Sequence, residues 1–219
     1  MRVKSLLLFS SFCLIALFTG PASGAGHLTV VTGKTMGTFY TVKWITKEKI
    51  APDLWQEKVD TCLKGINARL SMYDPKSELS RFNRQPAGKP FRISKDFFHV
   101  LSLSRQIHEL SAGAWDGTIK PLVDLWGFGT RNRKKDLPSP QAISQALSKT
   151  GFHKLKIQNQ SLTANAPHVT LDLGSIAKGY GVDVLARLLR SSGIEDFLVE
   201  IGGELYGSGK NLKGKAWSV

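Results

Sequence analysis

The stretch "VTLDLGSIAKGYGVD" (Val169 to Asp183) decides how this chain is to be folded, because an apolar run breaks at one glycine and resumes with a different period. Up to Leu173 the residues read as a strand, "HVTLDL". From Ser175 the apolar spacing is helical, with Ile176, Val182, Leu185, Leu188 and Leu189 on one side and Gly193 as the terminator. A strand that runs through Gly174 straight into a helix aims several backbone N–H groups of the first turn at one point, and that point favours an anion. Lys178, read within the first turn, adds a positive charge there, and Asp172 at the strand's end can accept from a ribose or base donor. The arrangement suits a phosphate or pyrophosphate. An ordinary strand–helix junction, with glycines for packing and a solvated lysine, uses the same letters.

The common phosphate loops fit poorly. A Walker loop needs GxxxxGK[ST], and "GGELYGSGKN" (Gly202 to Asn211) has the wrong glycine spacing and Asn211 in place of the metal-binding hydroxyl. The dinucleotide fingerprint GxGxxG is absent from "GSIAKGYG".

Outward from this junction the chain alternates strands and helices. "HLTVVTGKTMGTFYTVKWI" predicts an antiparallel hairpin with a glycine-containing turn. Pro52 and Asp53 open a helix with Leu54, Val59, Cys62, Leu63, Ile66 and Leu70 on its buried face. Ser94 to Gly113 and Ser139 to Gly151 are two more helices, each with a Ser N-cap and a Gly terminator. His153 to Asn165 reads as two short strands around Asn159 and Gln160, and "DFLVEIGGELYGSG" returns to strand. No repeat or long linker divides the chain. The pattern predicts an α+β fold, a mixed sheet with packed helices, in one domain over 25–219.

Residues 1–24 fall outside that domain. "MRVK" is basic, "SLLLFSSFCLIALF" is apolar but short of the ~20 residues of a membrane span, and "TGPASGAG" offers small residues for cleavage after Gly24. These are the parts of a secretory signal. The expected location is therefore exported, in the periplasm or on the outer face of the inner membrane. Cys13 lies in mid-run, which disfavours lipid anchoring, and Cys62 is then the one thiol of the mature chain.

With 30 Lys and Arg against 17 Asp and Glu, the chain favours anionic partners. The basic residues are scattered, however, and the dense run "RNRKK" (Arg131 to Lys135) sits beside "DLPSP" as a solvated loop does. No reading motif or aromatic platform accompanies the charge, which argues against nucleic acid as a partner. The five histidines, at 27, 99, 108, 153 and 168, lack metal-ligand spacing.

Two further stretches carry more chemistry than a core needs. "ARLSMYDPKSELSRFN" (Ala68 to Asn83) places Tyr73, Asp74, Glu78, Arg81 and Asn83 in what reads as an exposed loop and short helix. "AGAWDGTIKPLVDLWGFG" (Ala112 to Gly129) sets Trp115, Trp126 and Phe128 among four glycines and two aspartates. Aromatic rings on flexible backbone can sandwich a flat ligand ring, and Asp116 can fix a hydrogen-bonding edge. A packed loop accounts for either stretch taken alone.

In order, "MGTFYTV", "RLSMYDPKSELSRFN", "AWDGTIKPLVDLWGFG", "LDLGSIAKGYGVD" and "LVEIGGELYGSGK" closely resemble the FAD:protein FMN transferase family, also called the ApbE or thiamine-biosynthesis lipoprotein family. The resemblance runs from about Met36 to the last residue. It implies a T-fold-related α+β domain and an exported enzyme. Such an enzyme binds FAD, uses magnesium (Mg2+) to cleave its pyrophosphate, and transfers FMN to a Thr or Ser of an acceptor flavoprotein, such as a subunit of a membrane electron-transport complex. By match to the family's motifs, Met36 and Tyr73 contact the flavin, and Ala114, Trp115 and Asp116 hold it through backbone and side chain. Asp172 and Lys178 contact FAD further along, and Ser175 offers its backbone carbonyl to the metal. The departure lies at the end of the chain, which stops at "GKAWSV" in what reads as mid-strand. The family's Asp and Thr metal ligands, four positions apart, have no visible replacement. The expectation is a chain truncated at its C-terminus, with two alternatives to transfer: a non-catalytic exported flavin-binding protein, or an inactive fragment.

Overall fold

The computed structural model of the protein describes residues 26–129 and 137–219. The expected signal at 1–24 and the "RNRKK" run lie outside the described residues.

β1 (His27–Thr35) and β2 (Thr38–Thr46) form the expected hairpin. Met36 and Gly37 join them with φ of 49° and 73°, the positive pair that a two-residue turn between right-twisted strands demands. Alternation does the rest: Val31, Tyr40, Val42 and Trp44 are buried, while Leu28, Val30 and Phe39 face outward. β2 pairs antiparallel with β6 (Asp196–Ile201), and β6 with β7 (Glu204–Ser208), giving the order β1-β2-β6-β7. The second hairpin turns on Gly202 and Gly203, φ 54° and 94°. Because Tyr40 is paired with Ile201, both turns lie at the same end of the sheet, and the Gly202 N–H donates to Phe39 O at 3.1 Å. A smaller antiparallel sheet has the order β3 (Phe91–Arg92), β5 (Ser161–Ala164), β4 (Leu155–Gln158), with the expected turn at Asn159 and Gln160. The α+β class stands, and in place of a mixed sheet all strand pairs among the described residues are antiparallel.

α1 (Pro52–Leu70), α3 (Lys95–Leu110) and α6 (Gly174–Ser191) contact one another, and α1 and α6 cover the inner face of the large sheet. α1 buries Trp55, Val59, Leu63, Ile66 and Leu70, one residue per turn. Leu54, expected on that face, is exposed. Trp55 takes the inward place, its ring centroid 5.1 Å from that of Trp44. Cys62 is half-buried against the core, and burial pushes its thiol pKa up. The Tyr180 hydroxyl donates to Asp96 Oδ1 at 2.7 Å and ties α6 to α3. α5 (Pro140–Leu147) is capped by Ser139, as expected. Among the described residues no helix is long and apolar enough to cross a membrane.

Two segments depart from expectation. "HVTLDL" is not a strand of either sheet. A side chain satisfies its backbone instead: Asn83 Nδ2 donates to Leu171 O and the Leu171 N–H donates to Asn83 Oδ1, both at 2.8 Å. The next N–H, of Asp172, donates to Gly117 O at 2.8 Å. The segment ending at Asn83 is also less exposed than its polar letters suggest. α2 (Glu78–Phe82) buries Glu78, Leu79, Ser80 and Phe82, because its polar atoms bond to backbone. Glu78 Oε1 accepts from Ser94 N at 2.6 Å, and Ser80 Oγ donates to Ser71 O at 3.1 Å.

The hairpin yields a stability prediction. Gly33 pairs with Tyr40, whose ring lies so close that a Cβ on Gly33 would meet three of its atoms at 2.6–2.7 Å. That ring is 1% exposed and its hydroxyl donates to Asp60 Oδ1 at 2.6 Å, so it has no free rotamer to move to. Gly33→Ala should cost about 1 to 3 kcal/mol of stability through overpacking, measured by denaturant unfolding. An unchanged midpoint would show that the ring yields.

Candidate functional site

A cavity of about 590 Å³ opens at the end of the sheet where the two hairpin turns lie, within the ~300–1,000 Å³ usual for small-molecule sites. Five segments wall it: the turn at Met36 to Thr38, the end of α1 with residues 71–73, the loop through Ala114 to Asp116, Ile119 and Val123 at the short helix that follows, and Asp172 with the first turns of α6. The eight residues that the resemblance assigns to the site all line it: Met36, Tyr73, Ala114, Trp115, Asp116, Asp172, Ser175 and Lys178. Trp126 and Phe128, expected to help sandwich a ring, are not among its lining residues. They follow α4 (Lys120–Leu125), a short helix between glycines that had read as loop.

Each wall is held by identifiable contacts. Met36 sits in the left-handed region, where a side chain costs roughly 1 to 2 kcal/mol, and its Cε would be 3.2 Å from a Cβ on Gly181 of α6. Glycine at 181 is what lets that thioether lie against the helix. Asn67 of α1 also lines the cavity and donates to Thr35 Oγ1 at 3.0 Å, tying helix to hairpin. Tyr73 is exposed at the mouth.

The Trp115 loop is the most heavily tied. The Trp115 N–H donates to Ser111 Oγ at 3.0 Å, and the indole Nε1–H reaches Ser175 Oγ across the cavity wall at 3.1 Å. The ring folds back over Gly117, where a Cβ would lie 3.1 Å from Cη2. Asp116 has its carboxylate engaged by the protein. Oδ1 accepts from Thr118 N and Oγ1 at 2.7 and 2.6 Å, and Oδ2 accepts from Phe152 N at 3.0 Å. The Asp116 carboxylate thus braces the fold while the residue lines the cavity.

At the opposite wall α6 begins at Gly174 without a side-chain N-cap from Leu173. Asp172 Oδ1 accepts from the Gly174 N–H at 2.8 Å and so takes one of the donors expected to face an anion. Lys178 is the fifth residue of the helix, one place past the first turn. Among the described residues its Nζ makes one long contact, 3.4 Å to Gly202 O. Ser175 is exposed in the first turn. For the magnesium that the resemblance implies, this corner offers the Ser175 carbonyl and the Asp172 carboxylate. Among the described residues no three His, Cys, Asp or Glu side chains converge to hold a metal ion, so the donor set in hand does not by itself fit one.

The residues without a signal in the sequence are the supports Asn67, Ser111 and Thr118, and Asn83, expected in an exposed stretch, is instead the partner of the Leu171 backbone. Each is a polar residue whose partner lies in a different segment or past a turn, so spacing gave no signal.

A family model described as the ApbE family matches residues 36–219. A Vibrio cholerae serotype O1 protein named FAD:protein FMN transferase is 38% identical over 215 residues, covering 98% of this chain and 63% of that protein. A Haemophilus influenzae protein of the same name is 38% identical over 196 residues, covering 86% of this chain and 57% of its own length. Among solved structures, the flavin transferase ApbE from Vibrio cholerae superposes with a TM-score of 0.86 at 38% identity, covering 89% of this chain and 63% of that one. The apo flavinyl transferase ApbE of Pseudomonas stutzeri gives 0.83 at 34%, with coverage of 89% and 63%. The chain thus spans less than two thirds of the length of these relatives.

Proposed function

This chain belongs to the ApbE family, and we propose that it binds FAD in the cavity and transfers the FMN half to a Thr or Ser of an acceptor flavoprotein. The acceptor would be a subunit of a membrane electron-transport complex. The observation that supports the reading is the meeting on one cavity of the eight residues that the resemblance assigns to the site, from the hairpin turn, the Tyr73 segment, the Trp115 loop and the start of α6. The apolar wall at Met36, Ile66 and Leu70 suits a flat ring, while Lys178 and the α6 N-terminus suit the pyrophosphate. In the reaction the acceptor hydroxyl oxygen forms a bond to the phosphorus carried by riboflavin. The bond from that phosphorus to the bridging oxygen breaks, AMP leaves with the electron pair, and the hydroxyl proton is released. Lys178 would hold the charge that grows on the departing phosphate.

Magnesium belongs to the same reading on the strength of the resemblance, and dependence of transfer on added magnesium tests it. Transfer itself is read as covalent flavin fluorescence on an acceptor protein after denaturing electrophoresis. Unlabelled acceptor, with FAD bound, would establish the second reading, flavin binding without transfer. Export is part of the proposal, resting on the basic, apolar and small-residue series at 1–24. N-terminal sequencing of protein recovered from outside the cytoplasmic membrane should give Ala25 first. A chain still starting at Met1 there would refute the signal, and a lipid on Cys13 would replace it with anchoring.

A further inference from the structure

His108 belongs to neither the cavity lining nor any motif, yet it governs the loop that forms one wall. It lies in the last turn of α3 with its side chain 24% exposed. Its Nδ1 is 2.8 Å from Trp115 O, its hydrogen-bond partner, and 3.8 Å from Asp116 Oδ2, beyond hydrogen-bond distance. A carbonyl oxygen only accepts, so Nδ1 carries the proton and donates. The imidazole is stacked on Phe152, centroids 5.3 Å apart at 25°, and Phe152 is the residue whose N–H holds Asp116 Oδ2. Its ring is therefore fixed on one face while its N–H fixes the Trp115 carbonyl.

The direction of that carbonyl sets the direction of the next amide. In a planar trans peptide the C=O and the following N–H point opposite ways. Tying Trp115 C=O to α3 therefore turns the Asp116 N–H away from α3. Among the described residues that N–H has no hydrogen-bond partner, although both Asp116 carboxylate oxygens do. Asp116 lines the cavity. We infer that His108 is a positioning residue that orients the Trp115–Asp116 peptide, so that the Asp116 N–H donates to an acceptor atom, a carbonyl oxygen or ring nitrogen, on the bound cofactor. The inference rests on the flavin reading of the cavity.

The test compares His108→Phe and His108→Asn with the unaltered chain in FAD titrations and in thermal unfolding without ligand. Phe keeps a ring on Phe152 and removes the donor; Asn places an N–H near the position of Nδ1. His108→Phe should weaken FAD about tenfold, the scale of one hydrogen bond to a fixed donor, with an apo melting temperature close to that of the unaltered chain. His108→Asn should recover most of the affinity. Unchanged FAD binding in His108→Phe would overturn the inference alone. Equal loss in both variants, in step with lost thermal stability, would also overturn it, by showing that the histidine only supports the fold. If the unaltered chain failed to take up FAD, the flavin reading would fall first and this inference with it.

Discussion

Asp116→Ala is expected to destabilise the chain by about 2 to 5 kcal/mol, because two backbone donors and a hydroxyl lose their acceptor at once. Thr118, fully buried, donates from N and Oγ1 to Asp116 Oδ1, and Phe152 donates from N to Oδ2. Water reaches this place poorly: the Asp116 side chain is 14% exposed. The hydroxyl of Thr118 also accepts from Gly151 N at 2.6 Å, so the loss spreads to the turn that precedes Phe152. Asp116→Asn should cost roughly half as much, since its carbonyl keeps the Thr118 donors while its amide nitrogen faces the Phe152 N–H, donor against donor. For a chain of this size the alanine variant should melt roughly 4 to 20 °C lower. FAD affinity should fall in both variants in the order of their lost stability. An alanine variant that melted like the parent but bound no FAD would instead assign the carboxylate to the ligand.

The elements legible in the sequence are those whose signal is local. The hairpin at residues 27–46 declares itself by alternation and by Met36-Gly37, α3 by its Ser94 cap, and the Asn159-Gln160 turn by the two short runs around it. The elements misread are those whose partners are distant. Val169, Leu171 and Leu173 alternate as a strand does and are all buried, but an amide side chain 88 residues earlier supplies the pairing. Nothing near Leu171 announces that. Ser77, Glu78 and Ser80 look like solvent-facing letters until their backbone partners at Ser71 and Ser94 are known. The candidate site divides the same way. Lining residues in short ordered motifs, such as Tyr73, Trp115 and Lys178, are legible, and Asn83 is legible as a polar residue but not as the partner of Leu171, while Asn67, Ser111 and Thr118, whose partners lie across turns or in other segments, are not.

Lys178→Ala should separate the two ends of the ligand. The Nζ contact to Gly202 O is long, at 3.4 Å, so removing the ammonium leaves no buried acceptor stranded and should change stability little. Toward FAD the loss should be large, because a charge-assisted hydrogen bond to a phosphate contributes about 1.5 to 3 kcal/mol, or roughly 10- to 150-fold in affinity. Riboflavin, which has the ring and no phosphate, should bind both proteins alike. Lys178→Arg is the informative intermediate: it keeps the charge beside the α6 N-terminus but replaces a compact ammonium with a planar fork, so FAD affinity should fall less than in the alanine variant. The loss in Lys178→Ala should also shrink in high salt, since part of it is Coulombic and screened. If riboflavin and FAD weakened equally, the lysine would be acting through the Gly202 turn and the wall of the cavity rather than on the phosphates. The anion-directed reading of the α6 N-terminus would then have to be given up.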